Sequence, residues 1–175
     1  MKGVASIVPV LLLAACAGAP ANPPAAPASE LLGTSRSAPA DGFELRMRRS
    51  GCFGSCPSYE VVIHADGRVD YFGSAHVAAG GARQGQADGE ALARLRRRLD
   101  DAALPWGDYV RGTPGCGAWA TDMPGATIDA WVDGRWRSIR HDFGCSAAPA
   151  ELKALEQDID AAALSEQWVS GRVRE

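Results

Sequence analysis

The chain has 175 residues and a formal net charge of −3, and 46% of its residues are hydrophobic. This length leaves room for one small domain, while 20 glycines and 11 prolines indicate turns and a flexible tract beside it. The slightly acidic balance argues against nucleic acid as a partner.

Residues 1–15 have the pattern of a secretory signal peptide. Lys2 precedes an apolar run that is too short to span a membrane as a permanent helix. The sequence Leu13-Ala14-Ala15-Cys16 resembles the bacterial lipobox, in which the cysteine becomes the lipidated first residue of the mature protein. This resemblance implies cleavage before Cys16 and attachment to a membrane through lipid on Cys16. Because Ala17 follows the cysteine, it also implies an outer-membrane lipoprotein that faces the periplasm.

Residues 16–40 predict a disordered tether. They are rich in alanine, proline and serine and lack hydrophobic periodicity, so they cannot bury enough apolar surface to become ordered. A flexible coil of this length spans about 25 to 30 Å. We therefore expect a single domain over residues 41–175 that can stand off the bilayer.

The remaining four cysteines predict two disulfides. Cys52, Cys56, Cys116 and Cys145 form an even set with three possible connectivities. In the segment GCFGSCP, residues 51–57, Gly54 allows a turn tight enough to bring the first two sulfurs together. The favoured pairing joins Cys52 to Cys56 and Cys116 to Cys145, although the spacing leaves the crossed pairings open.

The first cysteine pair also allows a second interpretation. The pattern Cys-x-x-x-Cys-Pro resembles the motif of Sco-type copper proteins, and soft thiolates suit Cu(I). Cys52 and Cys56 could thus form a thiol-redox or copper pair. However, the motif leads into a strand and not into the helix of a thioredoxin-like unit.

Alternating apolar residues predict three strands before the first helix. The first of them contains Leu45 and Met47, and the next two flank Asp66-Gly67. A three-residue loop with Gly67 left-handed pairs Val61 with Tyr71 and keeps apolar residues opposite one another.

A second hairpin is predicted at Asp133-Gly134. By the same rule, a three-residue loop with a left-handed glycine places Ala130 opposite Trp136 on the core side. Thr127 opposite Ile139 is the one poor match in this register.

Two helices complete the predicted fold. Asp88 is a good N-cap for a helix whose apolar stripe is Leu92, Leu95 and Leu99. The second helix begins near Pro149 and carries a stripe of Leu152, Leu155 and Ile159. The order βββ-α-ββ-α predicts an α+β fold, a small antiparallel sheet with two helices packed on one face.

The sequence supports a catalytic or metal site less strongly than it supports the two disulfides. The long loop over residues 105–124 is favoured as a structural element that the Cys116–Cys145 bridge holds in place. A metal site could use Cys52, Cys56 and His141, or His141 and Asp142 with Cys116 and Cys145, but neither spacing matches a standard site. A hydrolase using His141 and Asp122 is a more distant alternative. We therefore predict no cofactor and favour a non-enzymatic protein.

Three motifs are similar to those of an uncharacterised bacterial family, domain-of-unknown-function family 6438. They are GCFGSCPSY at residues 51–59, DGRVDY at residues 66–71 and TDMP at residues 121–124. The resemblance covers roughly residues 43–168 and departs from the family at Phe72-Gly73, where acidic residues are common. It implies no activity, cofactor or catalytic residue.

These observations together predict a lipid-anchored protein of the bacterial cell envelope. It would act as a binding or structural module whose partner is an envelope protein or a glycan. The alternative from a different class is a periplasmic thiol-redox or copper-binding protein that uses Cys52 and Cys56.

Overall fold

The computed structural model describes residues 37–172 of the chain. The predicted signal peptide, Cys16 and most of the predicted tether lie outside these residues. Seven strands are present: β1 (Glu44–Ser50), β2 (Ser58–His64), β3 (Arg68–Ala75), β4 (Gly81–Gln86), β5 (Gly107–Tyr109), β6 (Gly125–Val132) and β7 (Arg135–Asp142). Three helices accompany them: α1 (Gly89–Leu99), α2 (Ala150–Ala163) and α3 (Glu166–Val169). Within residues 37–172, no helix has the length and apolar composition needed to cross a membrane.

All seven strands form one sheet in the order β4-β3-β2-β1-β6-β7-β5. Neighbouring strands are antiparallel except at one edge, where β5 runs parallel to β7. The predicted fold, a small antiparallel sheet in the order βββ-α-ββ-α with two helices, is therefore wrong. The sheet is mixed and larger, and a third helix follows α2.

The two strands absent from the prediction are the edge strands. β4, with the sequence GARQGQ, has one neighbouring strand and no alternating apolar residues, so its sequence resembles a loop. A Cβ atom at Gly85 would lie 3.0 Å from the Trp168 ring, which shows how closely α3 covers this edge. β5 has three residues, too few for a hydrophobic period to appear.

The predicted register of the first hairpin is confirmed. Val61 pairs with Tyr71 and Ile63 pairs with Val69. Gly67 has a φ of 83°, the left-handed conformation that a three-residue loop of this kind requires.

The predicted register of the second hairpin is wrong by one residue. Trp131 pairs with Trp136 and Ile128 with Ile139, while Ala130 lies opposite Arg137. The turn has two residues because Asp133 also adopts a positive φ of 53°, which aspartate tolerates better than most residues. The observed register pairs the two isoleucines and brings the two tryptophan rings edge to face at 5.7 Å.

The core lies between one face of the sheet and the helices. Leu45 and Met47 of the central strand β1 are fully buried, and they belong to the same apolar cluster as Leu95 of α1 and Leu155 of α2. The Asp88 side chain accepts a hydrogen bond from Ala91 N at 2.7 Å, as the predicted N-cap requires. Because side chains alternate along a strand, those of β1 point in turn to the core and to the opposite face of the sheet, here called the open face.

Candidate functional site

The two disulfides lie at the same end of the sheet, here called the disulfide end. It comprises the loops at residues 51–57, 110–124 and 143–149. β1 and β7 both finish at this end and β6 begins there, since Ser50 pairs with Gly125 and Gly125 pairs with Asp142. The chain enters β1 from the opposite end, at Glu44.

The first disulfide closes the loop between β1 and β2. Cys52 and Cys56 are joined, with their Cα atoms 5.5 Å apart. Gly54 has a φ of 148°, a conformation that side-chain-bearing residues rarely adopt. Phe53 N donates a hydrogen bond of 3.2 Å to Asp122 O, so this loop is also tied to the loop at residues 110–124.

The second disulfide fixes the long loop before β6. Cys116 and Cys145 are joined and buried, with their Cα atoms 4.5 Å apart. Trp119 Nε1 donates to Asp142 Oδ2 at 2.7 Å, and the Arg111 guanidinium lies 4.5 Å from the Trp119 ring centre. Both cysteine pairs are those favoured from the sequence, and the long loop is anchored at several points.

Two large apolar side chains are exposed at the disulfide end. Phe53 is 91% exposed and Met123 is 47% exposed, and they are the large hydrophobic residues exposed among residues 37–172. The hydrogen bond from Phe53 N to the carbonyl of Asp122 places these two side chains on adjoining segments. The rigid cross-links mean that neither residue can easily withdraw into the core.

A cleft of about 220 Å³ opens beside Met123. Its lining combines basic, polar and apolar residues: Arg48, Ser50, Val110, Met123, Pro124, Gly125, Ala126, Thr127, Arg140, His141 and Asp142. On the open face, Arg48 of β1 pairs with Thr127 of β6, which pairs with Arg140 of β7. A cross-strand row thus brings two guanidinium groups to one cleft.

The arginines of this row influence the pKa values of two neighbouring carboxyl groups. Arg140 Nε donates to Asp108 Oδ1 at 2.9 Å, and Nη2 donates to the second oxygen. These hydrogen bonds lower the pKa of Asp108 and raise the pKa of Arg140. Beyond Arg48 lies Glu60, where burial raises the carboxyl pKa although the charges of Arg48 and Arg46 oppose that shift.

A buried polar network lies on the opposite face of the same strands. Arg49 Nη1 contacts Glu156 Oε2 at 3.0 Å, and Arg49 Nη2 contacts Asp160 Oδ2 at 2.7 Å. His141 Nδ1 lies 2.7 Å from Glu156 Oε1. Tyr59 Oη donates to Asp160 Oδ1 at 2.7 Å. The network connects β1, β2 and β7 to α2.

The pKa shifts in this network follow from its burial and charges. Burial by itself lowers the pKa of Arg49, but Asp160, Tyr59 and Glu156 outweigh it and the net shift is upward. Burial and then the charge of Asp160 raise the pKa of Tyr59. Ser165 Oγ also donates to Asp160 Oδ1 at 2.7 Å, so every acidic oxygen of the network has a partner. Such a network fixes α2 against the sheet.

The structure does not assemble the catalytic or metal sites considered from the sequence. The acid that contacts His141 is Glu156 and not Asp122, which is exposed and has a φ of 64°. Cys52 and Cys56 are bonded to each other, as are Cys116 and Cys145. Over the described part of the chain, no group of three or more His, Cys, Asp and Glu side chains is arranged to hold a metal ion.

Sequence reasoning missed Arg48, Thr127 and Arg140 as a group. Arg48 and Thr127 are far apart in the chain, and the wrong register of the second hairpin placed Arg140 elsewhere. It also missed Glu156, whose charge made it look like a solvent-facing helix residue. The exposed Phe53 did have a sequence signal, as an aromatic residue between two close cysteines.

A protein-family model described as Domain of unknown function (DUF6438) matches residues 43–163, which run from the start of β1 through α2. The match includes both disulfides and the whole cleft. No curated protein matches the chain.

Proposed function

Because the chain belongs to the domain of unknown function family DUF6438, whose description states no activity, we propose a function from its own residues. The protein is a lipid-anchored, non-enzymatic binding module of the bacterial cell envelope. It is held to the outer membrane, facing the periplasm, by lipid on Cys16. It binds an envelope protein or glycan through the disulfide end of its sheet.

The anchor and the direction of the chain support this orientation. The lipobox-like sequence ends at Cys16, and the described chain reaches β1 at Glu44. β1 then runs toward the disulfide end, and its seven residues extend about 20 Å. The disulfide end is thus the end of the sheet opposite the point where the chain enters the domain, and it is free to face a partner.

One observation carries the binding role: the exposure of Phe53 and Met123 on cross-linked loops. Isolated exposed apolar residues are common and need no explanation. Phe53 and Met123 differ from such isolated residues, because they lie on adjoining segments that a disulfide and a backbone hydrogen bond hold in place. These segments therefore lose little conformational entropy when a partner binds to the two side chains. Aromatic residues in such positions are typical binding hot spots.

Photo-crosslinking in intact cells tests the binding role. A benzophenone amino acid replaces Phe53 in one variant and Arg94 in the control, because Arg94 is 60% exposed on α1, away from the disulfide end. We expect light-dependent adducts from position 53 and none of the same mass from position 94. Absence of adducts at position 53, or equal adducts at both positions, would contradict the proposal.

Lipid labelling tests the anchor separately. Cells grown with radiolabelled palmitate should label the wild-type protein, and Cys16→Ser should abolish the label. The wild-type protein should sediment with outer membranes in a density gradient. Labelling that persists in Cys16→Ser would remove Cys16 as the attachment site.

The thiol-redox or copper-binding alternative has less structural support. The Cys52–Cys56 loop connects two strands, so neither sulfur lies at a helix N-terminus of the kind that lowers a thiol pKa in redox motifs. Alkylation of the purified protein under native conditions, followed by intact mass, distinguishes the two proposals. The binding module should gain no mass without reductant, whereas a redox pair isolated in its reduced form gains two alkyl groups.

A further inference from the structure

The cleft is lined by a row of three cross-strand neighbours. Arg48, Thr127 and Arg140 lie side by side on β1, β6 and β7. Because adjacent strands lie about 4.8 Å apart, the two arginine Cα atoms are about 10 Å apart with the threonine between them. Both arginines are exposed and both line the cleft. Their long side chains can thus reach one ligand group above Thr127.

Two other charged residues of the cleft, Arg140 and Asp142, already form hydrogen bonds within the domain. Arg140 holds Asp108 through two hydrogen bonds. The two oxygens of Asp142, the acid in the lining, accept from Trp119 Nε1 at 2.7 Å and Gly144 N at 2.8 Å.

Arg48 differs from these residues. Within residues 37–172 it makes no hydrogen bond or contact ion pair, and its charge acts on Glu60 without such a contact. A guanidinium with a free planar fork is well suited to a carboxylate. Arg48 is therefore the cation of this cleft that remains available for a ligand.

The cleft is also lined by apolar residues of the loop that precedes β6. They are Val110, Met123 and Pro124, and Met123 follows Asp122, whose carbonyl accepts the hydrogen bond from Phe53 N. The volume of about 220 Å³ is below the range of drug-sized pockets, so it suits one small group and not a cofactor. A ligand that fits must therefore carry a negative charge and an apolar part side by side.

From this complementarity we infer that the cleft binds a terminal carboxylate with an adjoining apolar side chain, such as the C-terminal residue of a peptide. The carboxylate contacts Arg48 and Thr127, with Arg140 on its far side, and the apolar group lies against Met123. This inference rests on the proposed binding function and states the chemistry that the disulfide end recognises.

Methionine methyl NMR on the full chain in detergent micelles tests this inference. Met123 lines the cleft, whereas Met47 is fully buried in the core and serves as an internal control. The probe is N-acetylphenylalanine, and its matched control is N-acetylphenylalaninamide, which lacks the charge. We expect the acid to shift Met123 saturably without shifting Met47, and the amide to bind at least about tenfold more weakly.

Two arginine variants complete the experiment. Arg48→Gln should weaken binding of the acid by about tenfold, whereas Arg94→Gln on α1 should leave it unchanged. An unshifted Met47 signal in each variant shows that the core is intact. Equal binding of acid and amide, or full binding by Arg48→Gln, would overturn the inference. Adducts from position 53 without acid binding would overturn this inference alone and leave the proposed function standing.

Discussion

His141 Nδ1 lies 2.7 Å from Glu156 Oε1, across the interface between β7 and α2. The other oxygen of Glu156 lies 3.0 Å from Arg49 Nη1 on β1. One carboxylate, only 1% exposed, therefore binds partners from two strands. Without Glu156, His141 Nδ1 would lose its hydrogen-bond partner, and Arg49 would keep Asp160 as its one remaining acid within residues 37–172.

We expect Glu156→Ala to lower the free energy of unfolding by about 3 kcal/mol, because it removes one of the acids that pair with Arg49 and leaves the buried His141 Nδ1 without a partner. Asp158→Ala is the matched control. Asp158 is on the same helix and pairs with Arg98, but its side chain is 46% exposed, so its loss should cost less than about 1 kcal/mol. Urea unfolding of the two variants measures both costs. Equal costs would show that the buried network does not stabilise the fold.

The hydroxyl groups of Tyr59 and Tyr71 should contribute differently to stability at neutral pH, although both side chains are buried. Tyr59 Oη donates to Asp160, whereas the Tyr71 hydroxyl has no hydrogen-bond partner within residues 37–172. Tyr59→Phe should therefore destabilise the protein by about 1 kcal/mol, and Tyr71→Phe should be neutral or stabilising. Unfolding in urea at pH 7 checks this. A greater loss in Tyr71→Phe would contradict it.

Stability should fall at alkaline pH because of these tyrosines. Burial raises the pKa of Tyr71 to about 12, and burial with the charge of Asp160 raises the pKa of Tyr59. The unfolded chain therefore loses these protons first, near pH 10, and the stabilisation present below that pH is lost as the pH rises. Each tyrosine should contribute a loss of about 1.4 kcal/mol between pH 9 and pH 11.

The same two variants test this pH dependence. Tyr59→Phe and Tyr71→Phe should each have a smaller difference in unfolding free energy between pH 9 and pH 11 than the wild type. If both variants lose as much stability as the wild type over this range, other groups account for the alkaline destabilisation.

Hydrophobic periodicity predicted the parts of the fold that bury a regular apolar stripe. Leu92, Leu95 and Leu99 of α1 are all buried, as the helical spacing indicates. In the first hairpin, pairing apolar with apolar selected the observed register, since Val61 lies opposite Tyr71. Where a core face decides the arrangement, local sequence was sufficient.

The second hairpin shows how one turn residue changes the site. The predicted register left Thr127 opposite Ile139, and that poor match was the sign of the error. A one-residue slip moves every side chain of a strand to the other face. In the observed register Ile139 pairs with Ile128, and Arg140 lies opposite Thr127 on the open face. The positive φ of Asp133 therefore decides whether Arg140 reaches the cleft at all.

The edge strands and the buried network had no local signal. β4 and β5 pair with one neighbour each, so no two-sided apolar pattern marks them. Glu156 follows Leu155 on α2, and its burial depends on Arg49 and His141, which are 107 and 15 residues away in the chain. Contacts between such distant residues follow from the topology and not from any local pattern.

The two disulfides should contribute unequally to stability. Cys116 and Cys145 are 29 residues apart, whereas Cys52 and Cys56 are 4 apart. If the stabilisation follows the loop-closure entropy, removing the Cys116–Cys145 bridge costs about 3.5 kcal/mol and removing the Cys52–Cys56 bridge costs about 2 kcal/mol. Double alanine variants of each pair, unfolded in urea, measure this difference. A larger loss from the Cys52 and Cys56 double variant would contradict the loop-entropy explanation.

Gly73 lies on β3 where the loop after this strand packs closely against it. A Cβ atom at this position would lie 2.3 Å from Ala79 O and 2.8 Å from Val77 Cγ2. The Ala79 carbonyl belongs to a backbone segment whose N–H donates to Trp168 O at 2.8 Å, so it cannot easily move away. We therefore expect Gly73→Ala to destabilise the protein by about 1 to 3 kcal/mol through overpacking.

Gly80→Ala is the matched control for Gly73→Ala. A Cβ atom at Gly80 has no neighbour within 4 Å, and its φ is not positive. This second variant should be neutral or stabilise the protein by about 0.5 kcal/mol, because alanine restricts the unfolded chain. Thermal unfolding of both variants measures the difference, and hydrogen exchange at the Ala79 amide reports whether the loop has shifted. A neutral Gly73→Ala with unchanged exchange at Ala79 would mean that the β3–β4 loop tolerates a side chain there and does not pack closely on β3.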